Sequence, residues 1–137
     1  MLICEGNSAE LVGRPAIWNG EIEGCVHQNH VLRVRTNRES LLPEFLLAYM
    51  HTPAARLHFR RRAKRTTNLA TISGTDVKDL QVPVPVPPLP EQVRIAGIWA
   101  SAVDARGRFQ EEAAHIRKET REAVEAAIVG GVAIPPT

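Results

Sequence analysis

Five basic side chains fall within the six residues from 60 to 65: Arg60, Arg61, Arg62, Lys64 and Arg65. Guanidinium and ammonium groups set this close together neutralise several phosphates of a polyanion at once and release its condensed counterions. A solvated basic face, or a contact with a partner protein, is the plainer use of the same cluster. Thr66, Thr67 and Asn68 follow directly. Their short side chains offer hydrogen bonds to phosphate oxygens, and suit the end of a helix equally well. Upstream, Arg33 and Arg35 share one side of an alternating stretch. That is a second place for a DNA backbone, although alternate arginines are ordinary on a solvated sheet face. Gln28 and Asn29 carry the donor and acceptor that match an adenine edge, against a simpler role in holding a turn.

Other chemistries find no pattern. His27, His30, His51, His58 and His115 stand at no metal-ligand spacing with Cys or Asp, and Cys4 and Cys25 form neither a zinc knuckle nor a redox pair. Two buried, reduced thiols are expected. Residues 6–13 lack the Lys-Ser/Thr ending of a nucleotide loop, no Asn-Pro-Pro-Tyr-type adenine methyltransferase box occurs, and no Ser/His/Asp order stands out. The chain is therefore expected to be no enzyme, with no metal and no cofactor of its own.

The 137 residues are 44% hydrophobic and 23% charged, which are globular values and enough for one core and one further element. The formal net charge of +2 conceals an asymmetry: residues 33–65 hold nine Lys or Arg against two acids, Glu39 and Glu44. A polyanion would meet that half of the chain. No apolar run approaches the ~20 residues of a membrane span, and no secretory leader follows Met1; the expectation is a cytoplasmic protein with no membrane partner.

The elements that must position these residues read as a mixed α/β domain. Leu2–Cys4 is a short apolar strand, and residues 5–8 read as a turn. Residues 11–18 suit one or two short strands with a bend or bulge at Gly13, and Asn19-Gly20 signals a hairpin. Residues 31–35 alternate cleanly, with Leu32 and Val34 opposite the arginines. Pro43 opens a helix with Phe45, Leu46, Tyr49 and Met50 as its stripe. Beyond Pro53, residues 54–64 form a second helix anchored by Leu57 and Phe59, or else an irregular arm. Residues 69–72 are a short buried run. Ser73 and Asp76 have capping-box spacing before one or two helical turns. In residues 81–86 valine alternates with proline, which suits a sheet edge.

The rest is one long helix. Pro90 suits its first turn, and Gly130-Gly131 reads as its stop. Ile95, Trp99, Ala102, Arg106, Phe109, Ala113, Ile116, Thr120, Ala123 and Ala127 advance by alternating fours and threes, with charged flanks. That is the repeat of a seam built to meet another helix. The small residues Ala102, Ala113, Ala123 and Ala127 permit close approach, and Arg106-Gly107 is the expected weak point, a local bend or opening to solvent. The division expected is 1–86 as a partial domain, 87–130 as a proline-rich step and long spacer or dimerisation helix, and 131–137 as a tail.

The ordered set of motifs carries a resemblance. Gly13-Arg14 and Trp18 are followed by Gln28-Asn29-His30 and an Arg-x-Arg strand, then by Pro43-Glu44-Phe45-Leu46 with Tyr49. Ala63-Lys64-Arg65-Thr66-Thr67-Asn68-Leu69 and Ile72-Ser73 come next, and Val82-Pro83-Val84-Pro85 with Pro87-Pro88-Leu89-Pro90-Glu91-Gln92 opens the helix. From residue 2 to 128 this resembles the DNA-specificity subunit of type I restriction–modification enzymes. The resemblance implies a non-catalytic subunit that reads double-stranded DNA through target-recognition domains held apart by antiparallel long helices. It implies as partners methyltransferase subunits, which use S-adenosylmethionine, and a motor–nuclease subunit, which uses ATP. Such subunits normally hold two recognition domains and two helices. This chain shows one helix and the latter part of one domain, so a homodimer through antiparallel helices is expected to replace the missing half. The alternative is an interaction fragment that docks by its helix on methyltransferase or specificity subunits, with little DNA affinity of its own.

Overall fold

The computed structural model describes residues 1–83 and 86–131. The elements run β1 (Leu2–Cys4), β2 (Gly6–Asn7), β3 (Pro15–Ala16), β4 (Val31–Arg33), α1 (Pro43–Met50), α2 (Pro53–Arg62), β5 (Lys64–Arg65), β6 (Ala70–Thr71), α3 (Gly74–Lys78) and α4 (Leu89–Gly131). This is a small mixed α/β domain followed by one long helix, as the periodicities indicate. The chain divides into two units, Met1–Ile98 and the residues from Trp99 onward.

Two three-stranded antiparallel sheets, ordered β3-β1-β4 and β2-β6-β5, build the first unit. Ile3, Val12, Leu46, Met50, Phe59, Ala70 and Ile72 form its core. A fully buried aliphatic or aromatic side chain contributes about 1.5–3 kcal/mol, so a few such residues decide whether a domain this small folds. Leu32 and Val34 pack on that core while Arg33 and Arg35 are exposed, as their alternation requires.

Local signals place the helices. Pro43 and Pro53 stand at the first positions of α1 and α2, where a missing N–H leaves no hydrogen bond unmade. Thr52 caps α2 by accepting from the Ala55 amide. Ser73 and Asp76 form the full reciprocal box at α3. The expected bulge is present: Gly13 N–H donates to Cys4 O at 2.8 Å and Cys4 N–H donates to Arg14 O at 2.9 Å, two residues against one. Gly13 has φ +72°, and a Cβ there would lie 2.6 Å from Phe59 Cγ, so both its backbone and its lack of side chain are used.

Several local expectations give way to long-range pairing. Asn19-Gly20 forms neither a turn nor a hairpin, although Gly20 has φ +84°; the turns in this connection lie at residues 23–24 and 29–30. The strands on either side of it, β3 and β4, each pair with β1 and not with one another. Residues 6–7, read as part of a turn, are a strand because Gly6 and Asn7 find Thr71 and Ala70 across the chain. On α2 the buried pair is Ala55 and Phe59, one turn apart, and Leu57 points outward at 44% exposure. The helix stops at Arg62, and Lys64 belongs to β5. Cys25 is exposed, because its connection lies outside both sheets; Cys4 is half-buried. Residues 81–83 and Val86 join no sheet, and Val84 and Pro85 lie outside the described residues. Gly130 and Gly131 are both helical, and the residues after them lie outside the description. The helix is unbroken through Arg106-Gly107.

One buried polar side chain ties the start of α4 to the domain. Gln92 is 1% exposed. Its Oε1 accepts the Leu42 N–H at 2.8 Å, and its Nε2 donates to Ser40 O at 2.9 Å and Pro87 O at 2.7 Å. Leu42 is the N-cap of α1 and has no side-chain cap; Gln92, 50 residues further on, satisfies the N–H of this N-cap residue. Gln92→Ala leaves three backbone groups short of partners and is expected to destabilise the protein by about 2–3 kcal/mol. Urea unfolding should show a lower midpoint with an unchanged slope. Gln92→Glu, which keeps the acceptor and loses the donor, should not restore the wild-type midpoint.

Candidate nucleic-acid interface

The basic cluster is presented by three consecutive pieces of backbone. Phe59 and Ala55 turn inward, which leaves Arg60 and Arg61 exposed on the last turn of α2. After Ala63 the chain enters β5, which pairs with β6 through Lys64↔Thr71 and Arg65↔Ala70. Residues 66–69 close this hairpin. Thr66 donates to Leu69 O twice, from its amide at 2.8 Å and from Oγ1 at 3.3 Å. Thr67 and Asn68 occupy the exposed tip, and their side chains make no hydrogen bond within the described chain.

The arginines divide into structural and available ones. Arg56 is half-buried and donates to Val12 O at 2.9 Å and Glu10 O at 2.6 Å; burial lowers its pKa from the usual guanidinium value. Arg62 donates to Asp79 Oδ2 at 2.8 Å and stands 3.7 Å from Asp76 Oδ1. Arg65 reaches back to Arg60 O at 3.3 Å. Arg60, Arg61 and Lys64 form no salt bridge among the described residues. Within the cluster, then, Arg60, Arg61 and Lys64 are the cations most open to a phosphate, and Arg62 is already neutralised.

Two residues outside the expected phosphate contacts belong to this surface. Glu10 is held below the usual carboxylate range by its own backbone amide, then by the Ser8 hydroxyl, with Arg60 and Arg65 adding to the effect. Arg14, at the bulge, is close enough to Arg56 to disfavour its charge. Arg14 is part of the Gly13-Arg14 motif, but the sequence gives no sign that residues 10 and 14 meet α2, which they do only through the tertiary fold. Arg33 and Arg35 have other neighbours. With Lys78 they border an apolar cleft of about 460 Å³ whose walls include Leu41, Met50, Val77 and Leu80.

Along α4 the seam begins half-buried at Ile95 and Trp99 and continues exposed through Ala102, Arg106, Phe109, Ala113, Ile116, Thr120, Ala123 and Ala127. Phe109 is 70% and Ile116 54% exposed. Lys118–Glu122 and His115–Glu119 are spaced as i,i+4 pairs on this helix. No group of three metal-ligating side chains occurs among the described residues. No described helix is long and apolar enough to cross a membrane.

The chain is similar to a protein of Methanocaldococcus jannaschii named "Putative type I restriction enzyme MjaX specificity subunit". The two are 29% identical over 126 residues, which is 92% of this chain and 29% of that protein. The chain thus spans less than a third of the length of the curated relative it matches. No family model matches the chain, and no solved structure matches it.

The capping box beside Arg62 makes the fold sensitive to acid. Hydrogen bonds from the Ser73 hydroxyl and amide, and then Arg62, hold the Asp76 carboxyl below the usual range. A carboxylate with a depressed pKa stabilises the fold above its unfolded value, near 4, and that stabilisation is lost as pH falls through the folded value. Asp76→Asn is expected to cost about 1 kcal/mol at neutral pH. The difference from wild type should shrink below about pH 4 when unfolding midpoints are compared across the acid range.

Proposed function

We propose that this chain is a non-catalytic, DNA-binding component of a type I restriction–modification system, in the role of a specificity subunit. The similarity to the M. jannaschii subunit, extending over 92% of the chain, carries the reading. The exposed Arg60, Arg61 and Lys64 support it by supplying a surface suited to phosphates. In this reading residues 1–86 are part of a target-recognition domain, 87–130 the spacer and dimerisation helix, and 131–137 a tail. It works in the cytoplasm and positions methyltransferase and motor–nuclease subunits on double-stranded DNA. Arg65, Thr67, Asn68 and the more distant Arg33 and Arg35 are further contacts. Thr66 acts mainly by closing the turn.

The second copy is the proposed cover for the α4 seam. A helix of 43 residues rises about 65 Å, and exposed Phe109 and Ile116 are costly to leave in water. An antiparallel pair centred on residue 111 sets large against small in most layers: Ile95 meets Ala127, Trp99 meets Ala123, and Phe109 meets Ala113. Arg106 would face Ile116, the weak layer. A second reading is favoured by the same exposed seam: the chain docks by α4 on methyltransferase or specificity subunits and has little DNA affinity itself.

Two measurements separate these readings. Duplex binding should weaken with salt, with a slope of roughly −0.9 per phosphate neutralised. Replacing Arg60, Arg61 and Lys64 together by alanine should flatten that slope, whereas Arg62→Ala should mainly lower stability. An unchanged slope in the triple variant moves the DNA surface elsewhere, and no duplex binding by the wild type favours the docking fragment. Sedimentation should give a wild-type dimer at micromolar concentration, and a Trp99→Asp, Phe109→Asp variant should be monomeric. A wild-type monomer rejects the homodimer, and a variant that stays dimeric puts the interface off this seam.

A further inference from the structure

We infer that the tip of the β5–β6 hairpin enters the major groove of DNA and that Asn68 reads a base edge there, with adenine as its best match. This deepens, and rests on, the DNA-binding reading above. The first support is shape. β5 is the outer strand of its sheet, so the hairpin has a free edge, and its turn lies at the surface. A two-stranded antiparallel ribbon fits the major groove, about 12 Å wide, and is too broad for the minor groove, about 6 Å wide.

The second support is how the polar groups are distributed. Thr66 is committed to Leu69 O, which leaves Thr67 and Asn68 as the unpartnered side chains of the turn. The Asn amide holds one acceptor and one donor side by side, the pair that adenine N7 and N6 complement. Leu69, 42% exposed, adds an apolar contact of the kind a thymine methyl accepts. The cations stand behind the tip. Arg60 and Arg61 end α2, and Lys64 and Arg65 form the base of the hairpin. Asp76 and Asp79 are taken up by Arg62, and Glu10 lies within the field of Arg60 and Arg65 at that base. Backbone phosphates would therefore be held behind a neutral reading tip, the usual division between contacts that position and contacts that specify. Lys64 and Arg65 also guard an edge strand against pairing with other chains. That role explains the two charges; Asn is also a favoured turn residue, so the variants below separate turn formation from base reading.

Selection from a randomised duplex pool, with the full chain as wild type, Asn68→Ala, Asn68→Asp and Arg61→Ala, tests the inference. The wild type should enrich adenine at one position. Asn68→Ala should lose that preference, weaken the preferred duplex about 5- to 150-fold and leave the salt slope unchanged. Asn68→Asp should move the preference at that position toward cytosine, whose amino group donates to a carboxylate. Arg61→Ala should weaken all sequences alike and reduce the salt slope by about one. Wild-type binding without a base preference, or a preference that persists in Asn68→Ala, overturns the base-reading role alone. Absence of duplex binding by the wild type overturns the DNA-binding reading and this inference with it. Matching unfolding midpoints for wild type and the Asn68 variants would exclude a change of fold as the cause.

Discussion

The placement of Phe59 over Gly13 governs the surface on which everything else depends. The ring is fully buried, and the position beneath it admits no side chain, because a Cβ at residue 13 would fall inside contact distance of three Phe59 carbons. Arg56, one turn earlier on α2, ties the helix to the same loop through two carbonyls. The rotation of α2 is thereby set by packing on one side and hydrogen bonds on the other. With that rotation set, Arg60 and Arg61 face solvent, and the chain leaves the helix toward the β5–β6 hairpin. A basic cluster on a helix free to roll would present a changing subset of charges. Here the subset is determined.

That constraint sorts chemically identical residues into different roles. Arg56 loses hydration but gains two backbone acceptors, so it serves as a structural clamp. Arg62 finds two carboxylates on and beside α3, and its charge is offset locally. Exposed pairs of this kind add little stability, but they remove a cation from the surface available to an anion. Arg60, Arg61 and Lys64 keep their charge facing water. The same run of five cations therefore yields three open cations, one neutralised cation, and Arg65 folded back on the end of α2.

Gln92 does for α4 what Phe59 does for α2. Its amide satisfies an acceptor-seeking N–H at the start of α1 and two carbonyls, one of them in its own approach segment. Because a buried amide left unpaired is costly, the first turn of the long helix has one favourable seat in the first unit. Further along α4, from Ala102 to Ala127, the seam residues are exposed. Sequence periodicity is an accurate guide to which residues share that seam. It carries no information about what covers them.

The sequence by itself determined whatever depends on neighbours within about four residues. Both helix starts at proline, the reciprocal cap of Ser73 and Asp76, the alternation of residues 31–35 and the period of α4 were all legible, and with them the fold class; Gly13 was legible as a bend or bulge, but its partner Cys4 was not. The location of a basic patch was legible too, since five cations in six residues have few ways to hide. Only the tertiary structure decided which strands pair. The Asn19-Gly20 signal produced no turn and no hairpin, and β3 and β4 both pair with β1, because a central strand gains two partners where a hairpin gains one. Only the tertiary structure could place Leu57 outside and Ala55 inside, join Gln92 to a backbone amide 50 residues away, and separate the open arginines from the occupied ones. Those outcomes are set by contacts between residues distant in the chain, and spacing along the sequence holds no record of them.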